Sequence, residues 1–424
     1  MFIMIYSMKF INKPYWESYR NLVYKKQDNI EYPSNIDVVI IGGGYTGLNA
    51  AIPLLKANLN VLVLEANHIG SGASGLNTGF ITCEPINTQD SKLLTIPLKS
   101  KNYLIDLIKT HKIHCDLECN GSIKLATKIR HMYMLEKNML KYNSLFGKYF
   151  TLLSSKELEK ESSMSNVYGG LLNQLSCSLN PIKYIEGLVN TIKTLNGNIF
   201  EYSKVTNIEK QYSSYKVTIN NQINIICKEV IVATDGEKIT NSTNLVCKKS
   251  LTISSYVIGT TPISKDLQYL ISIRKRNFFT TSFFTNYFKL TAEGNLLFGG
   301  EASFFQEDIN TNLIDKLYSK LHYFFPFLKD IKIEYAWKGN INLTLNRIPF
   351  IGQDSQNMKY SFGYSGRGVS IASYYGHNLS QFILGKEYDK NIFSSKIPNL
   401  NPYHKSSFFL KSGYYYYKIK DFLF

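Results

Sequence analysis

Apolar residues run unbroken from Val38 to Ile41 and again from Val61 to Leu64. Such runs fit buried parallel strands, which need no polar face. Between them, Leu48 to Lys56 has the spacing of a helix. The first third of the chain therefore opens with a strand–helix–strand unit. Leu104–Thr110 and Met132–Leu145 follow as helices, with a strand over Gly121–Ala126 between them. Asn180-Pro181 marks a helix start, with proline at the first helical position. That helix runs from Ile182 to about Leu195 and stops at Gly197. Strands are expected at Asn198–Val205, Val217–Ile226 and Glu229–Ala233. Residues 251–335 alternate like an antiparallel sheet, as in Tyr256–Thr261 and Phe278–Phe288, around a helix at Asn312–Phe324. Helices at Val369–Leu384 and near Tyr414–Phe422 close the pattern.

The first strand ends in Gly42, Gly44 and Gly47, a G-x-G-x-x-G, and the second ends in Glu65. Gly42 allows a tight turn, Gly44 admits a pyrophosphate to the backbone, and Gly47 lets the helix pack on the sheet. The helix N-terminus offers N–H groups and partial positive charge to phosphates. A carboxylate at Glu65 suits a ribose hydroxyl pair. The alternative is a glycine-rich turn of an ordinary α/β unit, but strand, helix, strand and acid stand in register. A second small-residue loop follows, with Gly72, Ala73, Ser74, Asn77 and Thr78. A nicotinamide site has no need of it, whereas the longer FAD does.

On these motifs the chain resembles the FAD-dependent amine and amino-acid oxidases, the D-amino-acid-oxidase-like superfamily. Within it the pattern is most similar to the gamma-glutamylputrescine oxidoreductase subfamily. Tyr15-Trp16 resembles its aromatic lead-in, and Tyr287 to Thr291 its Tyr-Tyr-Arg-Leu-Thr segment. Trp337 to Asn340, Leu343 to Pro349 and Gly363 to Val369 resemble W-x-G-N, L-T-L-x-R-x-P and G-Y-S-G-H-G-V. The resemblance implies an α/β chain (α+β overall). A discontinuous Rossmann-like FAD-binding domain would carry an inserted mixed or antiparallel-sheet substrate domain. The expected partition is an arm at 1–34, a flavin domain of 36–92, 180–250 and 337–390, a substrate domain of 93–179 and 251–336, and a tail at 391–424.

It also implies FAD contacts from Gly42, Gly44, Tyr45, Thr46, Gly47, Glu65, Ala66, Gly72, Ala73, Ser74, Asn77 and Thr78. Val205, Ala233, Thr234, Gly236, Gly366, Gly368 and Val369 complete the set. The flavin should be non-covalent, since no cysteine follows Cys247. Gly366 to Val369 open the last helix, whose N–H groups and dipole would face charge building on the flavin. Arg367 stands where the subfamily has histidine, and Leu76 and Thr78 replace its arginine and glycine. Arginine does not shuttle protons near neutral pH. Arg367 would stabilise reduced flavin or bind a substrate carboxylate. Tyr364 is expected to wall the pocket. Arg347 is a candidate carboxylate anchor, with a surface ion pair as the alternative, and Trp337 is expected in the core. The strand Leu296–Phe298 offers no lysine under the flavin, so oxygen is not the favoured electron acceptor.

The 424 residues allow two or three domains. A net charge of +16 invites a nucleic-acid partner, but the lysines are scattered and fit an AT-rich composition. No apolar run is long enough to span a bilayer. The apolar opening Met1–Met8 lacks a basic region and a cleavage site, so it is not read as a signal peptide. Cys83, Cys115, Cys119, Cys177, Cys227 and Cys247 read as reduced core thiols of a cytoplasmic protein. His111, His114, Cys115 and Cys119 superficially suggest a metal, but their spacing fits no usual site. The Tyr414–Tyr417 run with Lys418 and Lys420 reads as a packed terminal helix, with a membrane-surface helix as the alternative. The expected activity is oxidation of an amine such as gamma-glutamylputrescine, with oxygen or another acceptor. No nucleic-acid partner, metal or integral membrane segment is expected, and the oligomeric state is open. The rivals are a glycine- or sarcosine-like substrate, flavin-dependent tRNA modification, or a flavin scaffold without turnover.

Overall fold

A computed structural model describes residues 11–21, 31–237, 239, 244–305, 307–393, 397–400 and 407–423. In chain order the strands are β1 (Ile36–Ile41), β2 (Val61–Leu64), β3 (Phe80–Ile81), β4 (Ser122–Leu125), β5 (Phe150–Ser154), β6 (Gly169–Asn173), β7 (Cys177–Ser178), β8 (Asn198–Phe200) and β9 (Val205–Gln211). They continue as β10 (Ser214–Ile219), β11 (Ile223–Val232), β12 (Ser250–Thr260), β13 (Asn277–Thr280), β14 (Tyr287–Leu290), β15 (Leu296–Ser303), β16 (Ile333–Thr344), β17 (Phe350–Gln353) and β18 (Lys359–Phe362). The α-helices are α1 (Tyr45–Lys56), α2 (Ala73–Leu76), α3 (Ile96–Thr110), α4 (Ile129–Phe146), α5 (Ser155–Leu158), α6 (Pro181–Thr194), α7 (Asn244–Lys249), α8 (Lys265–Ile271), α9 (Thr311–Phe324), α10 (Gly368–Ile383), α11 (Lys390–Phe393) and α12 (Ser407–Leu423).

Strands β18, β11, β1, β2 and β8 lie side by side and parallel, with β17 antiparallel on one edge. Strand β1 sits in the middle, buried on both faces, as its apolar run requires. The second sheet has the order β16-β12-β15-β14-β13-β4-β6-β5. It is antiparallel except where β13 runs parallel to β4. Side-chain alternation gives it two different faces. Tyr256, Ile258 and Phe298 pack towards α9, while Val257, Leu297 and Trp337 join the core of the first sheet. The second sheet is thereby attached to the first through one face.

Several elements differ from the sequence expectation. The segment 198–205 forms two strands, with Tyr202 left-handed between them. The expected strand Val217–Ile226 is broken by Asn220 and Asn221, both at positive φ, which make a tight hairpin between β10 and β11. Helix α3 begins at Ile96, earlier than the pattern indicated, with Pro97 in its first turn. The boundary set between 336 and 337 falls inside β16, which pairs with β12 along its whole length. Helix α6 starts as expected, the Asn180 side chain accepting from the Ile182 and Lys183 N–H groups.

The thiol expectation is corrected for two cysteines. Cys119 and Cys177 form a disulfide, their Cα atoms 4.0 Å apart. An isolated bridge, Glu118↔Ser178, brings the segment before β4 against β7, a contact invisible in a spacing of 58 residues. Cys83, Cys115 and Cys227 are buried free thiols, and the Cys247 side chain lies outside the described residues. Among the described residues no cluster of histidine, cysteine or carboxylate is arranged to hold a metal. His111 instead meets the Lys56 ammonium at 3.1 Å. Likewise, no described helix is long and apolar enough to cross a membrane. Helix α12 packs on the body: Tyr417 stacks on Phe283 at 3.6 Å, and the Asp421 carboxylate accepts from the Phe283 and Phe284 N–H groups.

Candidate active site

The C-terminal ends of β1, β2, β11 and β18 share one edge of the first sheet. A crevice opens there because β1 sends the chain to β2 on one side while β11 lies on the other. Gly42 turns out of β1 at φ +111°, and a Cβ there would stand 2.6 Å from the Ala233 carbonyl oxygen. At Gly47 a Cβ would meet Ile40 Cγ2 at 3.1 Å and the Gly42 carbonyl closer still. Both glycines are thus required by the backbone, independent of any ligand. Gly44 is the N-cap of α1, and a Cβ would approach Ser74 Oγ at 2.8 Å.

Glu65 follows β2. Its carboxylate accepts from the Gly43 N–H at 2.8 Å and the Asn67 N–H at 2.9 Å. Ala66 comes next, and the loop returns over α1 through Gly72, Ala73 and Ser74. Ser74 Oγ accepts from the Tyr45 N–H at 3.0 Å. The Asn77 amide bonds the Ala73 and Ser74 carbonyls, and its oxygen accepts from the Gly79 N–H. Thr78 is buried beside it. The arm braces this loop: Trp16 Nε1 donates to the Asn77 carbonyl at 2.7 Å. Trp337 is a core residue, and its Nε1 donates to the Leu76 carbonyl at 2.9 Å. Val205 shares an apolar cluster with Ile41, Leu64 and Val232, and the neighbouring Ser203 N–H donates to the Glu65 carbonyl.

Ala233, Thr234 and Gly236 form the turn after β11. Between them Asp235, left-handed at φ 51°, accepts from the Gly363 N–H at 2.8 Å. That bond ties this turn to the one carrying Gly366, Gly368 and Val369 at the start of α10. Burial pushes the Asp235 carboxyl up to about 7. Tyr364 is buried, its hydroxyl bonded to Thr46 Oγ1 at 2.5 Å and Ser361 Oγ at 2.8 Å. Burial, reinforced by Asp235, raises its phenol. Tyr364 is thus a strut between the starts of α1 and α10.

Arg367 is the N-cap of α10, without a side-chain capping bond. Its Nη1 reaches across to the carbonyls of Glu84 (3.4 Å) and Pro85 (3.2 Å). Arg347, at φ 56°, holds its guanidinium 4.6 Å over the Phe283 ring. Desolvation lowers its pKa; Tyr417 opposes this and Arg367 adds to it. The two arginines therefore share one electrostatic neighbourhood.

Sequence reasoning missed the group beside Arg367. Glu84, largely buried, pairs with Lys124 at 2.9 Å, and Lys124 lies 5.6 Å over Phe279. Burial and Glu84 raise the Tyr142 phenol, and Arg367 opposes them. Lys289 was also missed. Strand β15 has no lysine at Leu296–Phe298, but Lys289 on β14 faces Leu297 in register. It is buried, which lowers its pKa to about 8 against the pull of Glu118, Asp116 and Glu293.

These residues fit a dinucleotide on three grounds. The N-termini of α1 and α10 converge without side-chain caps and without acids in their first turns. A carboxylate ends β2. The backbone is glycine wherever the crevice is tightest.

The sequence profile described as FAD dependent oxidoreductase (DAO) matches residues 37–382. Gamma-glutamylputrescine oxidoreductase of Escherichia coli (strain K12) is 29% identical over 386 residues, covering 85% of this chain and 87% of that one. A probable oxidoreductase of Haemophilus influenzae is 27% identical, covering 92% and 94%. Among solved structures, glycine oxidase from Geobacillus kaustophilus superposes with a TM-score of 0.77 at 18% identity, over 86% of this chain and 99% of that one. L-proline dehydrogenase from P. horikoshii gives 0.73 at 19% identity, over 84% and 95%.

Proposed function

This chain belongs to the FAD-dependent oxidoreductase family, and from that premise we propose that it oxidises a carbon–nitrogen bond of gamma-glutamylputrescine or a close relative. The observation that carries the substrate class is the match to gamma-glutamylputrescine oxidoreductase over 85% of the chain. When bound, FAD would supply the hydride acceptor for the carbon beside the amine. Water then hydrolyses the resulting imine to aldehyde and ammonia.

The protein's own part is position and field. Gly42 to Gly47, Ser74 and the first turn of α1 would hold the diphosphate of FAD, and Glu65 its ribose. The N–H groups at the start of α10 and the Arg367 charge beside them would favour negative charge on a reduced flavin bound in the cleft. The cations Arg347 and Arg367 also favour the neutral form of an approaching amine, the form able to release hydride. A substrate carboxylate is the partner such guanidinium groups prefer. Glu84, neutralised by Lys124, lies against Arg367, whose Nη1 donates to the Glu84 carbonyl. The flavin is held without a covalent bond, so acid precipitation is expected to leave a colourless pellet.

An amino-acid substrate is the second reading, favoured by the likeness in fold to glycine oxidase. Anaerobic reduction of the flavin across a panel of amines separates the two. Rapid bleaching by gamma-glutamylputrescine and not by glycine or sarcosine is expected. Bleaching by glycine alone would establish the second reading, and no bleaching by any amine would refute both.

A further inference from the structure

Helix α4 has an unusual outer face. Exposed side chains recur at 129, 133, 137, 140 and 144, with 130, 134 and 141 beside them, which is one stripe of a helix. A solvent-facing stripe is normally polar. Here it carries Ile129, Tyr133 and Leu140, at 72%, 64% and 64% exposure, together with Met134. Its polar positions include Arg130, Lys137 and Lys141, with Glu136 as the exposed acid. Lys137 lies 4.4 Å over the Tyr133 ring, its stem along the aromatic surface.

A second helix adjoins the start of α4. The end of α12 meets the start of α4, where Lys128 Nζ donates to the Asp421 carbonyl at 2.5 Å. The inner side of α12 is used up by Tyr417 on Phe283, Tyr414 on Phe284 and Asp421 on the loop N–H groups. Its outer side exposes Tyr415, Tyr416 and Ile419, with Lys411, Lys418 and Lys420 among them.

We propose that the outer faces of α4 and α12 together form a docking surface for an anionic lipid bilayer. Three features favour a bilayer over other occupants. The aliphatic residues suit the acyl boundary and not a phosphate backbone, since nucleic-acid interfaces are polar. The tyrosines and long lysines are the side chains that settle at a headgroup boundary, ring inward and cation outward. The cations outnumber acids on both faces, which is the charge a layer of acidic headgroups attracts. The bound protein would lie on the surface without spanning it. Its contact face would adjoin the Phe283 loop and so the cleft beside Arg347.

The test uses FAD-loaded protein and flotation with vesicles. Binding is expected to vesicles of phosphatidylcholine with phosphatidylglycerol, with little to phosphatidylcholine alone, and is expected to weaken as salt rises. The paired change Lys137→Glu and Lys141→Glu is expected to lower partitioning at least about tenfold. Ile129→Ser with Tyr133→Ser, and Tyr416→Ser with Ile419→Ser, are expected to do the same while amine-driven flavin reduction without vesicles is unchanged. Reversing two distant exposed lysines, Lys210→Glu with Lys386→Glu, is expected to change binding far less and controls for net charge. No flotation with anionic vesicles would overturn the proposal. So would flotation that the α4 and α12 changes leave intact, or that the distant pair reduces equally. If the same changes abolish binding of RNA, or shift the oligomeric state, while vesicles do not bind, the face serves that partner and the proposal falls.

Discussion

At Gly376, helices α10 and α1 come backbone to backbone. This glycine in α10 faces the first turn of α1, and a Cβ there would lie 3.0 Å from the Thr46 carbonyl carbon, 3.1 Å from its Cα and nearer still to its oxygen. Carbon atoms sit comfortably at about 3.5–4.0 Å. Gly376→Ala must therefore drive backbone from backbone by about half an ångström or more, with no flexible side chain to yield. Overpacking of this kind costs about 1–3 kcal/mol. The better helix propensity of alanine returns about 1 kcal/mol. The net effect is a loss of up to about 2 kcal/mol, or a few degrees in melting temperature. The functional effect is expected to be sharper, because Thr46 lies in the first turn of α1, proposed above to hold the diphosphate, and bonds Tyr364. FAD titration of the apoprotein is expected to give a Kd about tenfold higher, equivalent to about 1.4 kcal/mol. Gly413→Ala, where an added Cβ meets nothing within 4 Å, is the comparison and is expected to lose neither stability nor FAD. If Gly376→Ala melts at or above the parent temperature and binds FAD equally well, the close approach is not what holds the crevice.

Purified protein is expected to be yellow, and Glu65→Ala to weaken FAD binding by about 1.5–3 kcal/mol, the worth of a charge-assisted hydrogen bond, in the same titration. Arg367→Ala is expected to retain FAD but lower its midpoint potential by about 30 mV, or about 1.4 kcal/mol for two electrons; an unchanged potential in redox titration rejects the coupling. For Asp235 the folded-state pKa of about 7 exceeds the unfolded value of about 3.9, so its stabilising contribution is complete below about pH 4 and is lost as pH rises to 7. Asp235→Asn keeps an acceptor for the Gly363 N–H, and is expected to raise the melting temperature by about 2 °C at pH 8 with no gain at pH 4.

What was legible in the chain was local. Gly42, Gly47 and Glu65 lie within one strand–helix–strand unit, where spacing alone sets the geometry. The cap at Asn180 is local in the same sense. Asn220-Asn221 was equally local and went unread because the apolar alternation around it looked continuous. The cleft was not local. Glu84 and Lys124 meet only because the chain after β3 reaches the face of β4 in the other sheet. Lys289 faces the flavin half only through its register with Leu297. Gly376 looks like any small residue in a helix until α1 is laid against it, and the Cys119–Cys177 bridge depends on a strand contact that neither cysteine signals.

The placement of β1 between β2 and β11 has a consequence for how the molecule comes into being. The partners of β1 lie on both sides of long stretches of chain, at Val61 and at Glu229, and β18 adds to β11 only at Lys359. During synthesis the first strand waits with one edge unpaired while nearly two hundred residues are made. Such long-range pairing is slow and leaves an aggregation-prone edge in the meantime. Gly366 and Arg367, at the start of α10, are made later still. FAD bound as proposed would therefore be gripped from both sides only after α10 has been made, and its supply during expression is expected to govern the yield of folded protein.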